Sequence, residues 1–145
     1  MTIWDFSCFF IEKSIECVVE EICHPAAVSP RYAVRSGQDR SLQMPRSAMT
    51  ALDRVAEERL HWVQDPLTLP GGIGLSGPIP RRTIFEDTGG PFFLDPAGHR
   101  PDPIDDDLAL WIDTATGLVV CVGCAHAGLV NTLHHLRQLT DDRPI

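Results

Sequence analysis

The 145-residue chain has no apolar stretch that approaches the roughly 20 residues that a membrane-spanning helix requires. It also lacks a cluster of basic residues, and its formal net charge is −8. Phosphate contacts need grouped Lys and Arg side chains, so this balance argues against non-specific binding to nucleic acid. The N-terminal apolar residues follow no positively charged segment, which disfavours a signal peptide. We therefore expect a cytoplasmic protein that binds neither membrane nor nucleic acid.

The five cysteines do not form a disulfide framework, because their number is odd and their spacing is irregular. Reduced thiols are therefore expected. Cys121 and Cys124 form a C-x-x-C pair, but a zinc knuckle needs a second pair of ligands at matching spacing, and none follows. We expect both side chains to be small buried hydrophobic groups.

The first half of the chain predicts two helices. Apolar residues at helical spacing predict an amphipathic helix over residues 8–22, and a second helix is expected from about Ser47 to His61. Alternating apolar residues between Pro66 and Pro80 predict short strands bounded by turns. Residues 86–105 read as a long polar loop, and loops of this length are usually functional or mobile.

The last third of the chain predicts a hairpin followed by a helix. Residues 107–113 and 118–122 are apolar and are joined by a short turn, which favours antiparallel strands. Residues 129–139 carry leucines at helical spacing and predict a helix that also turns Leu129 and Val130 inward. The chain is long enough for one domain with its own core.

His126 lies in a turn of small residues between the second strand of this hairpin and the helix. This placement admits three interpretations. The imidazole is a metal ligand, since a neutral histidine binds zinc, iron or manganese. In the second interpretation the imidazole is a general base. In the third it is a structural histidine that bonds a nearby carbonyl and stabilises the turn.

Three consecutive carboxylates precede the hairpin. Alternate residues of a strand share a face, so Asp105 and Asp107 could point together and bind a cation. The alternative is a solvated acidic turn after Pro103, which the spacing alone favours. The remaining histidines and basic pair are weaker candidates: His24, His99, His134, His135, Arg81 and Arg82.

Five short stretches of the sequence, which we call phrases, resemble segments of one protein family in the same order along the chain. They are HPAAVSPRY (24–32), MP (44–45), GIGLSGPIPRRTIFED (72–87), PDPIDDDLALWI (101–112) and GLVVCVGCAHAGLVNTL (117–133). Together they are similar to metallo-β-lactamase-fold metallohydrolases. The nearest subgroup is the 7,8-dihydropterin-6-methyl-4-(β-D-ribofuranosyl)-aminobenzene-5′-phosphate synthase-like one. The resemblance spans residues 23–145 and leaves residues 1–22 as a segment unlike the family.

The resemblance implies an αββα sandwich with a divalent metal at one edge of its sheets, zinc first and manganese or iron as alternatives. It implies a hydrolase or synthase-type activity on small ester-like or phosphate-containing substrates, including pterin-related ones. His126 maps onto a metal ligand, and Asp106 and Asp107 map onto the acidic pair of the D-D-x-A-L motif. Cys124 and Asn131 fall at positions that could support the site or touch substrate.

The chain departs from the family at the motifs that supply most ligands. The H-x-H-x-D-H motif is absent, the C-terminal G-G-x-H segment is not present, and Leu108 stands where the family has Gln. A catalytic zinc typically needs three protein ligands. We therefore expect a fragment of such an enzyme, with incomplete sheets, inactive alone and prone to self-association. The alternative hypothesis is a non-catalytic interaction module derived from that fold.

Overall fold

The structure of the chain is a computed structural model. It describes residues 8–13 and 18–145, and the surroundings of side chains from residue 21 onward. The elements, in chain order, are β1 (Cys8–Lys13), β2 (Val18–Cys23), β3 (Tyr32–Arg35), β4 (Gln38–Ser41), α1 (Arg46–Leu52), β5 (Leu60–Trp62), β6 (Leu67–Leu69), β7 (Ile73–Leu75), β8 (Phe92–Phe93), β9 (Ala109–Thr114), β10 (Gly117–Val122) and α2 (Leu129–Leu139). The fold class of the described residues is α+β, as predicted.

The part of the chain that the structure describes divides into two compact units. We call them the amino-terminal unit (Cys8–Trp62 with Gly90–Pro103) and the carboxy-terminal unit (Val63–Gly89 with Ile104–Ile145). The amino-terminal unit holds two three-stranded sheets, ordered β1-β2-β5 and β4-β3-β8. β2 pairs antiparallel with β1 and parallel with β5, so the first sheet is mixed.

The predicted helix over residues 8–22 is wrong for the residues that the structure describes there. β1 and β2 pair in antiparallel register, with Cys8 opposite Cys23. The segments are rich in β-branched and aromatic residues, which favour strands once a partner is present. β5 supplies that partner on the other side of β2. The apolar spacing that suggested a helix is therefore overridden by pairing with a segment far along the chain.

The second predicted helix is too long. α1 ends at Leu52, and a short 3₁₀ turn over Glu57–Arg59 leads directly into β5. α1 buries none of its residues fully, so its environment does little to extend it. The predicted strands between Pro66 and Pro80 are confirmed as β6 and β7.

The carboxy-terminal unit is built on one four-stranded sheet, ordered β10-β9-β7-β6, with every neighbouring pair antiparallel. The predicted hairpin is confirmed as β9 and β10, and the last predicted helix is confirmed as α2. A core on one side of the sheet unites strand and helix residues: Ile79, Ala109, Trp111, Leu118, Ala127 and Leu136. This core positions the turn between β10 and α2.

The inward face of α2 differs from the predicted one. Leu129 and Val130 are 51% and 41% exposed, whereas Asn131 and Thr132 are buried at 2% and 0%. The prediction assumed that apolar residues alone face inward. The first turn of α2 instead buries polar side chains, because Asn131 accepts the N–H of Thr83 and the Thr132 hydroxyl donates to the carbonyl of Gly128 at the start of the helix.

Two predictions about cysteines are wrong. Cys121 and Cys124 are exposed thiols and not buried groups. Alternation along β10 turns Cys121 to the face of the sheet opposite Val120, a residue that packs against the core. Cys23 is disulfide-bonded, which contradicts the expectation that all thiols are reduced.

None of the helices in the described part of the chain is long and apolar enough to span a bilayer.

Candidate functional site around His126

The turn that carries His126 joins the end of β10 to the start of α2. Ala125 adopts a left-handed backbone with φ +52°, and Gly128, the N-cap of α2, has φ +93°. The N–H of Gly128 donates to the carbonyl of Ala125 at 2.9 Å, which closes the turn. A non-glycine residue in this backbone region is uncommon and is found more often where a site constrains the chain.

The imidazole of His126 is half-buried and meets a carbonyl oxygen. Its Nδ1 lies 2.8 Å from the backbone oxygen of Thr88. A carbonyl only accepts, so Nδ1 must carry the proton, and in the neutral ring the lone pair then lies at Nε2. Histidines that bind metals usually donate their other ring N–H to such an oxygen. The general-base and structural interpretations of His126 predict the same bond, so this bond is common to all three interpretations.

Asp107 supports the turn from the sheet side. Its Oδ2 accepts a hydrogen bond from the N–H of Ala127 at 2.6 Å. Asp107 is 6% exposed and Asp106 only 1%, while Asp105 is exposed. The solvated acidic turn that the spacing favoured is therefore wrong for Asp106 and Asp107, and the pairing of Asp105 with Asp107 on one buried face is wrong as well.

The backbone just before this acidic pair is also unusual. Ile104 is buried and has φ +54°, a conformation that a β-branched residue rarely adopts. Its carbonyl accepts the N–H of Asp107 at 3.2 Å, so the left-handed residue opens a tight turn. This turn changes the direction of the chain and directs Asp106 and Asp107 inward.

A segment that we call the strap (residues 81–88) crosses the N-terminus of α2. Glu86 lies at its centre, and its two carboxylate oxygens accept the N–H groups of Val130 and Asn131 at 2.8 and 2.9 Å. These N–H groups belong to the first turn of α2 and have no partner within the helix. Glu86 thus caps α2 from a distant part of the sequence, and its negative charge suits the positive end of the helix dipole.

The surroundings of Glu86 change its acidity. Partial desolvation by itself raises the pKa of the Glu86 carboxyl, but three hydrogen bonds outweigh it. Two come from the backbone of Val130 and Asn131, and one, at 2.9 Å, comes from the hydroxyl of Thr83. The net result is a pKa below the ordinary value for glutamate, so the carboxylate is charged at neutral pH.

Asn131 joins the strap to the His126 turn and uses all of its ordinary hydrogen-bonding capacity. Its Oδ1 accepts the N–H groups of Arg82 and Thr83 at 2.8 and 3.0 Å. Its Nδ2 donates to the carbonyl of Ala127 at 2.8 Å and to the Thr83 hydroxyl at 3.0 Å. A buried amide with four partners specifies one arrangement of the segments that it joins.

The strap also holds the backbone of the histidine. The guanidinium of Arg81 donates to the carbonyl oxygen of His126. The backbone of His126 is thus held by Arg81, its ring is held by Thr88, and the following residue is held by Asp107. Arg81, a weak candidate from the sequence, thus has a structural role in the turn.

The other predicted candidates lie elsewhere or have structural roles. In the amino-terminal unit, His24 is 5% exposed, and its Nδ1 accepts the N–H of Ala26 at 3.1 Å to cap a 3₁₀ turn. On α2, His134 is exposed, whereas the Nε2 of His135 lies 3.0 Å from the carbonyl of Ser76.

The residues that the structure describes do not contain a group of three histidine, cysteine, aspartate or glutamate side chains placed to hold a metal ion. A catalytic zinc requires three such ligands, so the described donors do not fit one. His126 provides a single imidazole. The carboxylate of Asp107 is already engaged by the N–H of Ala127.

Comparison with known proteins gives no assignment. The chain matches no model of a known protein family, and a search of curated proteins finds no significant match.

Reasoning from the sequence missed three residues of this site, namely Glu86, Thr83 and Thr88. All three lie in or next to the quoted phrase GIGLSGPIPRRTIFED, which pointed to the right segment without indicating which side chains matter. A glutamate that caps a helix more than 40 positions later leaves no local signature, because capping patterns in sequence are read within a few residues.

Proposed function

We propose that this chain derives from a metal-dependent hydrolase or synthase-type enzyme of the metallo-β-lactamase fold. In this proposal His126 marks one ligand position, and the chain by itself binds zinc weakly and does not turn over a substrate. The substrates of the lineage would be small ester-like or phosphate-containing molecules, pterin-related ones included.

The observation that carries the proposal is the convergence of three separate phrases. The resemblance rests on S-G-x-I-P-R, D-D-x-A-L and G-C-A-H-A-G-x-x-N, which lie far apart in the sequence. In the carboxy-terminal unit Arg81 and Asp107, from the first two phrases, bond the backbone of the His126 turn in the third. Segments that share only a chance likeness to a family have no reason to meet around its ligand histidine.

The sheet of the same unit is compatible with half of an αββα sandwich. α2 contributes Leu136 to the core on one face of the sheet. The opposite face carries an in-register row formed by Leu69, Ile73, Ile112 and Val119. Ile112 and Val119 are 38% and 51% exposed, as expected for a face suited to pack against a second sheet.

Zinc titration of the purified chain tests the proposal. A single imidazole gives a weak site, so we expect less than one equivalent of zinc to remain after gel filtration. During the titration the ring signals of His126 should respond first in nuclear magnetic resonance spectra. His126→Gln should abolish this first response, whereas His134→Gln, which alters an exposed histidine on the outer side of α2, should leave it unchanged.

Two results would contradict the proposal. Retention of stoichiometric zinc by the wild-type chain would mean that it contains a complete site. An unchanged first response in the His126→Gln variant would show that His126 is not a ligand position. A phosphodiester hydrolysis assay with the zinc-loaded chain should give no rate above background.

A second candidate function, a non-catalytic interaction module, is favoured by one feature of the strap. Ile84 and Phe85 are fully and 73% exposed, although the residues on both sides of them are held by hydrogen bonds. Large apolar side chains fixed in water are typical of contact surfaces. Sedimentation of the wild type beside an Ile84→Ser, Phe85→Ser double variant tests this alternative. Association that disappears in the double variant would support the module.

A further inference from the structure

Glu86 and Thr88 connect two different parts of the candidate site. Glu86 binds the first turn of α2 through the N–H groups of Val130 and Asn131. Two positions later, the carbonyl of Thr88 meets the ring of His126. Two residues of chain span at most about 7 Å, so only a short length of backbone separates the residue that caps α2 from the carbonyl that meets His126.

We propose that Glu86 is a positioning residue: by capping α2 it holds the Thr88 carbonyl against Nδ1 of His126 and thereby places the lone pair of this histidine at Nε2. This inference rests on the proposed function only in giving His126 a role as a donor atom. The effect on the ring itself is a property of the chain without metal.

The reason lies in how a histidine chooses its tautomer. A neutral imidazole carries one proton, and the hydrogen bond made by one ring nitrogen decides which nitrogen keeps it. The Thr88 oxygen can only accept, so it selects the Nδ1–H form of His126. His24 shows the reverse case, because its Nδ1 accepts the N–H of Ala26 and its proton must lie on Nε2. The two histidines are therefore expected in opposite tautomers.

Nitrogen-15 spectra of the imidazole rings test the inference on the full chain without metal. The spectra are recorded on the neutral rings, and they report the tautomer of each ring directly. In the wild type, His126 should be in the Nδ1–H form. In Glu86→Ala both capping bonds are lost, and the ratio of the Nδ1–H form to the Nε2–H form should fall about tenfold, the equivalent of one hydrogen bond.

Glu86→Gln gives a graded version of the same change. Glutamine has nearly the shape of glutamate but offers one accepting oxygen, so one of the two capping N–H groups loses its partner. The tautomer ratio of His126 should fall by less than in Glu86→Ala. A loss of capping that leaves side-chain volume intact thereby separates the effect of the hydrogen bonds from the effect of a cavity.

Gly128 allows the cap to be displaced from the other side. A Cβ at this position would overlap the carboxylate of Glu86, so Gly128→Ala should shift the His126 ratio in the same direction. Gly71→Ala is the matched control, because Gly71 also has a positive φ, of +85°, but a Cβ there would meet open space. It carries the same backbone penalty and should leave the His126 tautomer unchanged.

Asp95→Asn controls for the loss of a capping carboxylate in general. Asp95 accepts backbone N–H groups from Ala97, His99 and Arg100 within the amino-terminal unit. Its replacement should leave the tautomer of His126 unchanged. The His24 signal reports in every sample that the amino-terminal unit is folded.

A wild-type tautomer of His126 in folded Glu86→Ala and Glu86→Gln would overturn the inference. Loss of folded structure in both Glu86 variants and in Gly128→Ala would also overturn it, because Glu86 would then be a general stabiliser and not a residue that positions the histidine. Neither result depends on zinc. A failure of the zinc titration with a normal tautomer shift would instead count against the proposed function alone.

Discussion

Replacing Asn131 with alanine would remove the side chain that joins the strap to the His126 turn. The wild-type amide is 2% exposed and makes four hydrogen bonds, two as acceptor and two as donor. Alanine makes none of these bonds and leaves two backbone N–H groups, one carbonyl and one hydroxyl without this partner. Because alanine favours helices more than asparagine does, helix propensity opposes the loss only slightly.

The magnitude follows from where each bond lies. Ala127 is 1% exposed, so water does not readily replace the bond to its carbonyl, and this loss costs about 1–3 kcal/mol. The three bonds to Arg82 and Thr83 involve half-exposed or exposed parts of the strap, where water can substitute, and each is worth about 0.5–1 kcal/mol. The sum is about 4 kcal/mol, a large part of the stability of a typical domain.

Urea unfolding followed by circular dichroism measures this loss. With an ordinary urea dependence of about 2 kcal/mol per molar for a small protein, the midpoint should fall by about 2 M. Val130→Ala is the control, since its side chain is the neighbour on α2 and is 41% exposed. It should change the stability by about 0.5 kcal/mol or less. If Asn131→Ala matched Val130→Ala, the four bonds would not stabilise the unit, and our account of the strap would fail.

Two further predictions concern packing and pH. Gly74 lies opposite Trp111 in the sheet, and a Cβ at Gly74 would overlap the buried indole ring. Gly74→Ala should therefore lower the free energy of unfolding, measured by thermal unfolding, by about 3 kcal/mol. Gly71→Ala is the control, since a Cβ there meets open space, and it should cost about 1 kcal/mol. Little difference between the two would show that the ring moves freely. The hydrogen bonds to Glu86 and Asp95 lower the pKa of both carboxyls in the folded chain. Their stabilisation is therefore present above the ordinary carboxyl pKa and is lost as the pH falls below that value, about 4.5 for Glu86 and about 3.8 for Asp95. The free energy of unfolding, measured between pH 7 and 3, should show this decline, and a Glu86→Gln variant should show a shallower one. Equal slopes in the wild type and the variant would show that Glu86 does not contribute to the decline.

The parts of the fold that were predicted correctly are those with local signals. β9, β10 and α2 have strong apolar patterns and short connections, so neighbouring residues contain the information that defines them. β1 and β2 were predicted as one helix because the pairing of β2 with β5 depends on residues about 40 positions away. A pattern read in a window of the sequence has no access to such a partner.

The candidate site shows the same contrast between residues with a local sequence signal and residues whose partners lie far along the chain. His126 and Asp107 were found from motifs, and the structure brings the Asp107 carboxylate to the residue next to His126. The burial of Asp106 and Asp107 was not foreseen, because a run of carboxylates is usually solvated and their burial depends on the turn opened by Ile104. Glu86 was missed because its partners lie on α2.

The sequence by itself determined the strand, turn and helix around His126, since small residues, a β-branched strand and regularly spaced leucines act over a few positions. Only the tertiary structure decided what surrounds the imidazole. The Thr88 oxygen, the Glu86 cap and three of the four bonds of Asn131 join segments that are more than 35 residues apart. Hydrogen bonds of this kind depend on positions in space to within a fraction of an ångström, and the core of the folded sheet and helix establishes those positions.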